Sequence, residues 1–268
     1  MSSNPTSCTA VTCSIDERGV ATVTLNNPDK HNAFDDAMIA ALSDHFHTLA
    51  QDNGVRVVVL ASCGRSFSAG ADLNWMKRMA SYSFEENLRD ANALANMLQT
   101  LNTLPKPTIA RVQGAAFGGA VGLVSCCDMA VASSRASFCL SEVRIGLVPA
   151  TISPYVINAI GQRAARRYFT TAERFSAQRA QTLGLVSEVV DEEELDTELE
   201  RLLTQLLGNG PRAVALAKEL LFDVSGRPID DEVIADTCER IASIRVSEEG
   251  QAGLGAFLDK QSPPWIKE

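Results

Sequence analysis

Apolar and polar positions follow two periods along the chain. Val11–Ile15 and Val20–Leu25 are short strand-like segments. Asp16–Gly19 between them carries turn chemistry, which predicts a hairpin. After a loop at Asn26–Asp29, the spacing of Ile39, Leu42, Phe46 and Leu49 predicts a helix from Asp35. Val55–Ala61 is apolar apart from Arg56, with no alternation from Val57 onward, the mark of a strand buried on both faces. A small-residue loop at Ser66–Asp72 precedes a second helix over Glu85–Leu104, which Pro105 and Pro107 end. Thr108–Val112 reads as another buried strand, Gly118-Gly119 as the start of a short apolar helix, and Met129–Ala132 as a further strand. Beyond Pro149 the pattern becomes helical. Ser176 caps Ala177–Leu183 with Gly184 as its stop, and Glu192–Leu207, Pro211–Asp223 and Asp230–Val246 follow. Strands alternating with helices, then helices alone, predict an α/β core with a helical extension from about Glu192.

Composition narrows the function classes. The 268 residues are 46% hydrophobic and 21% charged, ordinary values for a globular protein. A net charge of −9 argues against neutralising nucleic-acid phosphates or docking on an anionic membrane. No apolar run reaches the length of a membrane span, and Met1–Ser7 does not read as a signal peptide. Seven cysteines at irregular spacing, none in a C-x-x-C pair, suggest neither a disulfide framework nor a zinc site. The expected compartment is reducing and cytoplasmic. The three histidines are His31, His45 and His47, and the last two share no helix face. A metal centre or histidine-based triad is therefore not expected. Neither a P-loop nor a dinucleotide fingerprint is present.

Three segments carry candidate chemistry. Residues 114–122 read Gly-Ala-Ala-Phe-Gly-Gly-Ala-Val-Gly, and residues 140–149 read Leu-Ser-Glu-Val-Arg-Ile-Gly-Leu-Val-Pro. A helix opening at Gly119 leaves backbone N–H groups without partners, under the positive end of the helix dipole. Glycine there admits close approach of a ligand oxygen. Locally this is either a plain strand-to-helix turn or an oxyanion site. Glu142 has apolar sequence neighbours, Phe138, Leu140, Val143 and Ile145. It is either a surface carboxylate or a desolvated one with a raised pKa, suited to moving protons near neutrality. The loop Ser68-Ala69-Gly70-Ala71-Asp72 follows a buried strand, where α/β sheets bind ligands.

Together with Asn26–Ala33, Cys127–Ala132 and Ala177–Val186, these segments resemble the crotonase (enoyl-CoA hydratase/isomerase) superfamily over nearly the whole chain. The resemblance implies a spiral of ββα units over residues 1–191 and a C-terminal helical trimerisation region over residues 192–268. It implies an acyl-CoA substrate, with coenzyme A as part of the substrate and no separate cofactor, and a homotrimer or dimer of trimers. By similarity, the amides of Ala71 and Gly119 form an oxyanion hole and Glu142 is the acid/base. Ala69, Asp72 and Leu73 would line an adenine pocket, with Lys30 near the CoA phosphates. Residues 117–128, 138–147 and 71–76 look most like bacterial hydratases for methylglutaconyl-CoA or isohexenylglutaconyl-CoA, in leucine and acyclic-terpenoid breakdown. The chain departs from two-glutamate hydratases at Gly122, where the second glutamate falls, and at Ala150 and Ile152–Pro154 in the following loop. A second carboxylate on the substrate is expected to meet Arg144 or to help order the water. The alternatives are a Δ3,Δ2-enoyl-CoA isomerase, which needs one base, and an inactive RNA-binding relative, which the net charge disfavours.

Overall fold

The computed structural model describes residues 10–266. Cys8 and the N-terminal segment read above for targeting lie outside them. The hairpin forms as its turn chemistry dictates: β1 (Val11–Ile15) and β2 (Val20–Leu25) pair antiparallel. Helix α1 (Asp36–Gln51) follows, with Asp35 accepting the Met38 N–H as its cap. The chain then lays down strands in pairs. These are β3 (Val57–Ser62) with β4 (Ser66–Ser68), β5 (Thr108–Val112) with β6 (Ala115–Phe117), and β7 (Met129–Ser133) with β8 (Ser137–Cys139). Helices α2 (Leu73–Met79) and α3 (Phe84–Asn102) follow the first pair, α4 (Gly119–Cys126) the second and α5 (Ser153–Thr171) the third.

The first strand of each pair joins a six-stranded sheet in the order β1-β2-β3-β5-β7-β10. The second joins a four-stranded sheet in the order β4-β6-β8-β9. Both sheets close with later pieces, β9 (Phe175–Ser176) and β10 (Glu188–Val190), on either side of α6 (Ala177–Leu183). Each turn of the chain thus adds one strand to each sheet, a spiral of ββα units. Four helices follow: α7 (Leu195–Leu207), α8 (Pro211–Val224), α9 (Asp231–Val246) and α10 (Glu248–Leu258).

The unbroken apolar run at β3 has a physical cause. Val58 and Leu60 face the main core, with α1, α3 and α4. Val57 and Val59 face the other way, onto Leu195 and Leu203 of α7. With both faces covered, no alternation is left in the sequence. The pattern does not show β4, β6, β8, β9 or β10, because strands of two or three residues are too short to display a period of two. It also does not show α2, held by the Asp72 cap, or the glycine-containing α10.

Helix α8 is tied to the core by a polar knot. The Lys218 ammonium, almost fully buried, donates to Asp128 Oδ2 at 2.8 Å and to the Lys106 carbonyl at 3.2 Å. The same carboxylate oxygen accepts from Thr108 N–H and Oγ1–H at 2.7 and 2.9 Å. Lys218→Met is expected to cost about 2 kcal/mol in urea-induced unfolding, the usual scale for hydrogen bonds to charged groups. An unchanged midpoint would show that the knot contributes nothing. Large apolar side chains on α8, α9 and α10 are exposed: Leu221, Val246, Phe257 and Leu258 are 65–81% accessible.

Candidate active site

The glycine turn leads from β6 of the four-stranded sheet into α4. Gly118 sits at φ 55° and ψ −123°, a conformation that excludes side chains, and donates its N–H to the Cys139 carbonyl at 2.8 Å. Gly119 is then the first residue of α4, so its N–H has no intrahelical acceptor. A Cβ placed on Gly118 would lie 3.3 Å from Glu142 Oε1 and 3.9 Å from Gly70 Cα. The turn, the Ser68–Asp72 loop and the carboxylate therefore meet at one point. The need for glycine falls on Gly118 rather than on Gly119, contrary to the expectation from sequence. A Cβ on Gly119 would only touch the Phe34 ring at an ordinary 3.7 Å.

Ala71 is set by a single parallel bridge to Phe34. The Phe34 N–H donates to the Gly70 carbonyl at 2.8 Å, and the Asp72 N–H donates to the Phe34 carbonyl at 2.6 Å. Because neighbours alternate along an extended backbone, the Ala71 N–H faces away from Phe34. Phe34 thus places one candidate donor through its backbone and packs its ring on the other. Its position depends on Asn32, which is fully buried in the left-handed region at φ 52°. The Asn32 side chain accepts from the Asn27 N–H and donates to the Cys63 and Ser66 carbonyls at 2.8 to 3.0 Å. Neither Phe34 nor Asn32 was singled out from sequence. An asparagine in the loop just ahead of α1, with its tolerance of left-handed backbone, is the signal that marks it.

Glu142 opens a short 3₁₀ turn, Glu142–Ile145, rather than ending a strand. Its Oε2 is buried with no hydrogen-bond partner among the described residues. Burial pushes the carboxyl pKa above the ordinary glutamate range, outweighing the opposing pull of its own backbone N–H. The folded state therefore binds this proton more tightly than the unfolded chain does. Stability from the neutral acid is present at low pH and is lost as pH rises through the raised folded pKa. Glu142→Gln is accordingly expected to raise the melting temperature at pH 7 and to give no gain below about pH 4, where an ordinary glutamate is itself protonated. Equal shifts at both pH values would contradict this.

The other residues singled out from sequence divide by environment. Ala69 and Leu73 are exposed beside the Ala71 loop. Lys30 reaches Asp72 Oδ2 at 3.3 Å. The Asp72 carboxylate is nearly buried and caps α2, accepting the Asn74 and Trp75 N–H groups at 2.8 and 3.1 Å. The Trp75 N–H first, then the Asn74 N–H and the Lys30 ammonium, lower its pKa against the opposing effect of burial. Its side chain is engaged in building the loop, which leaves Lys30, Ala69 and Leu73 as the accessible groups. Arg144 donates to the Ala172 carbonyl at 2.5 Å, at the end of α5.

Residues 16–268 match the family model described as enoyl-CoA hydratase/isomerase. The chain belongs to this family. A solved enoyl-CoA hydratase from Shewanella pealeana is similar at 50% identity and a TM-score of 0.92, covering 96% of each chain. Pseudomonas aeruginosa AtuE is similar at 33% identity and a TM-score of 0.92, covering 96% of this chain and all of that one. The human mitochondrial enoyl-CoA hydratase domain-containing protein 3 is 31% identical over 256 residues, 93% of this chain and 82% of that one. The crotonase resemblance and the spiral it implies are thereby established. The family comprises enoyl-CoA hydratases and isomerases, and an enoyl-CoA is a thioester whose carbonyl oxygen gains charge when C2 or C3 reacts. The convergence of Ala71, Gly119 and Glu142 suits that chemistry.

Proposed function

We propose that this enzyme hydrates an enoyl-CoA, with Glu142 as its acid/base and the Ala71 and Gly119 N–H groups as the oxyanion hole. The single observation that carries the reading is the Glu142 carboxylate lying against the Gly118 turn with one oxygen buried and unpartnered. In the forward step Glu142 takes a proton from water as the water oxygen bonds to C3. The C2=C3 electron pair moves toward the thioester, and the charge on its oxygen is held by the two N–H groups. Glu142 then returns the proton to C2, so the atoms of one water are added across the double bond. The substrate is a branched glutaconyl-CoA, of the methylglutaconyl or isohexenylglutaconyl type. The resemblance of residues 117–128 and 138–147 supports this reading, and with it a role in leucine or acyclic-terpenoid breakdown. Lys30, Ala69 and Leu73 contact the CoA moiety, with Asp72 holding that loop, and no separate cofactor is required.

Residues 192–268 serve self-association into a trimer or a pair of trimers, leaving residues 1–191 as the catalytic core. The exposed apolar residues of α8, α9 and α10 support this. The expected compartment is the cytoplasm.

Isomerisation of 3-enoyl-CoA is the second reading. It is favoured by the packing at Gly122, which leaves no room for a second carboxylate from α4. Methylglutaconyl-CoA and a 3-enoyl-CoA supplied side by side decide between the two. Turnover of the 3-enoyl-CoA alone overturns hydration.

A further inference from the structure

Gly122 lies one helical turn beyond Gly119 on α4, so a side chain there projects from the same face of the helix as Gly119. That volume is already full. A Cβ on Gly122 would overlap Ile152 Cγ2 and lie 2.8 Å from Ile152 Cβ and 3.6 Å from Leu98 Cδ2. Ile152 is 2% exposed and Leu98 is fully buried, so neither has open space into which to retreat. Ile152 occupies the N-cap position of α5 and makes no capping hydrogen bond with its side chain. Helices favour a small polar residue at that position, and a branched hydrocarbon there forgoes the cap. The Ile152 side chain gains its burial from the notch that Gly122 leaves in α4. Helix α4 carries the oxyanion turn, and the segment entering α5 follows directly from the Glu142 turn, whose Leu147 N–H donates to the Glu142 carbonyl at 3.1 Å. The notch and its plug therefore join the two elements that carry the reacting groups.

We infer that Ile152 is a specificity-determining residue of this enzyme. Seated in the Gly122 notch, it fills the volume that a side chain at position 122 would need and so keeps any second acid/base group off α4. Positions 122 and 152 then form one unit, in which a side chain at 122 requires its loss at 152. This rests on Glu142 being the acid/base proposed above. It deepens that reading by naming what restricts the site to a single carboxylate.

The test is a cycle of Gly122→Glu, Ile152→Gly and the double variant, with Gly122→Ala as a milder probe. Each is measured for melting temperature and for hydration of crotonyl-CoA, which lacks a second carboxylate of its own. Gly122→Ala is expected to lower the melting temperature, although helix propensity alone favours alanine. Gly122→Glu is expected to lower it further, and the double variant to recover most of that loss. The double variant is also expected to hydrate crotonyl-CoA at least about tenfold faster than Ile152→Gly, within the usual contribution of a positioned acid/base. Additive melting temperatures, a Gly122→Ala variant as stable as wild type, or recovery without a gain in hydration would each overturn the inference. Wild-type turnover of glutaconyl-CoA, measured in parallel, reports separately on the proposed function. Its absence counts against that reading, while the melting-temperature cycle still decides whether positions 122 and 152 act as one unit.

Discussion

Glu142→Gln is expected to lower kcat for enoyl-CoA hydration by about 10³-fold, within the usual 10²–10⁴ contribution of a positioned acid/base. Acyl-CoA affinity, read by calorimetric titration, is expected to stay within about threefold, because the groups assigned to the CoA moiety are elsewhere. The substitution keeps the shape of a side chain whose Oε1 lies against the Gly118 turn and removes only its ability to carry the proton. The pH profile provides a second readout. Water is activated by the ionised carboxylate, so kcat/KM is expected to rise with pH through the apparent pKa of Glu142. Burial sets that pKa above the ordinary glutamate range. A Gln variant with wild-type turnover would remove Glu142 from the mechanism. A rising limb at the ordinary glutamate value would mean that the carboxyl is solvated in the working enzyme.

Gly119→Pro is expected to lower kcat by about 10²–10³-fold, the loss that follows removal of one oxyanion donor. Gly119→Ala is expected to retain most activity. The pair separates donor from shape. Proline is well tolerated at a first helical position, where the N–H has no intrahelical partner, so the helix survives its loss. Alanine keeps the N–H, and its methyl group meets the Phe34 ring at an ordinary distance. Equal activity in the two variants would show that the Gly119 amide does not hold the substrate oxygen. Loss in both would show that the turn tolerates no side chain, although the structure leaves space for one.

Much of this framework is legible in the sequence where local chemistry alone decides it. The first hairpin, α1, β5, α6 and the caps at Ser176 and Asp230 follow from turn residues, helical spacing and N-cap preference. The second sheet is not legible. Its strands are two or three residues long and exist because the spiral brings them side by side, so no pattern within any one of them encodes the pairing. The site divides in the same way. Glu142 and the Gly118-Gly119 turn are visible as motifs. Phe34 is not, because its contribution is a backbone bridge to a residue far along the chain. Ile152 is visible only as an oddity beside Pro154, since what it fills is the missing side chain of Gly122. Family likeness implies that Asp72 lines a nucleotide pocket, and the likeness alone does not disclose that its carboxylate also caps the first turn of α2. A sequence shows which groups are present but not which hydrogen bonds already occupy them.

The bridge between Phe34 and Ala71 has a kinetic consequence. Asn32, only two residues from Phe34 along the backbone, fixes the loop that ends in Lys30 on one side and the Ala71 amide on the other. In the roles proposed above, Lys30 grips the carrier portion of the thioester and Ala71 aims at its carbonyl, so grip and aim share one lever. Loosening this loop to let product depart sooner would also tilt the donor away from the oxygen it stabilises. Faster release and a lower barrier are therefore opposed here, and variants around Asn32 are expected to shift KM and kcat together rather than trade one for the other.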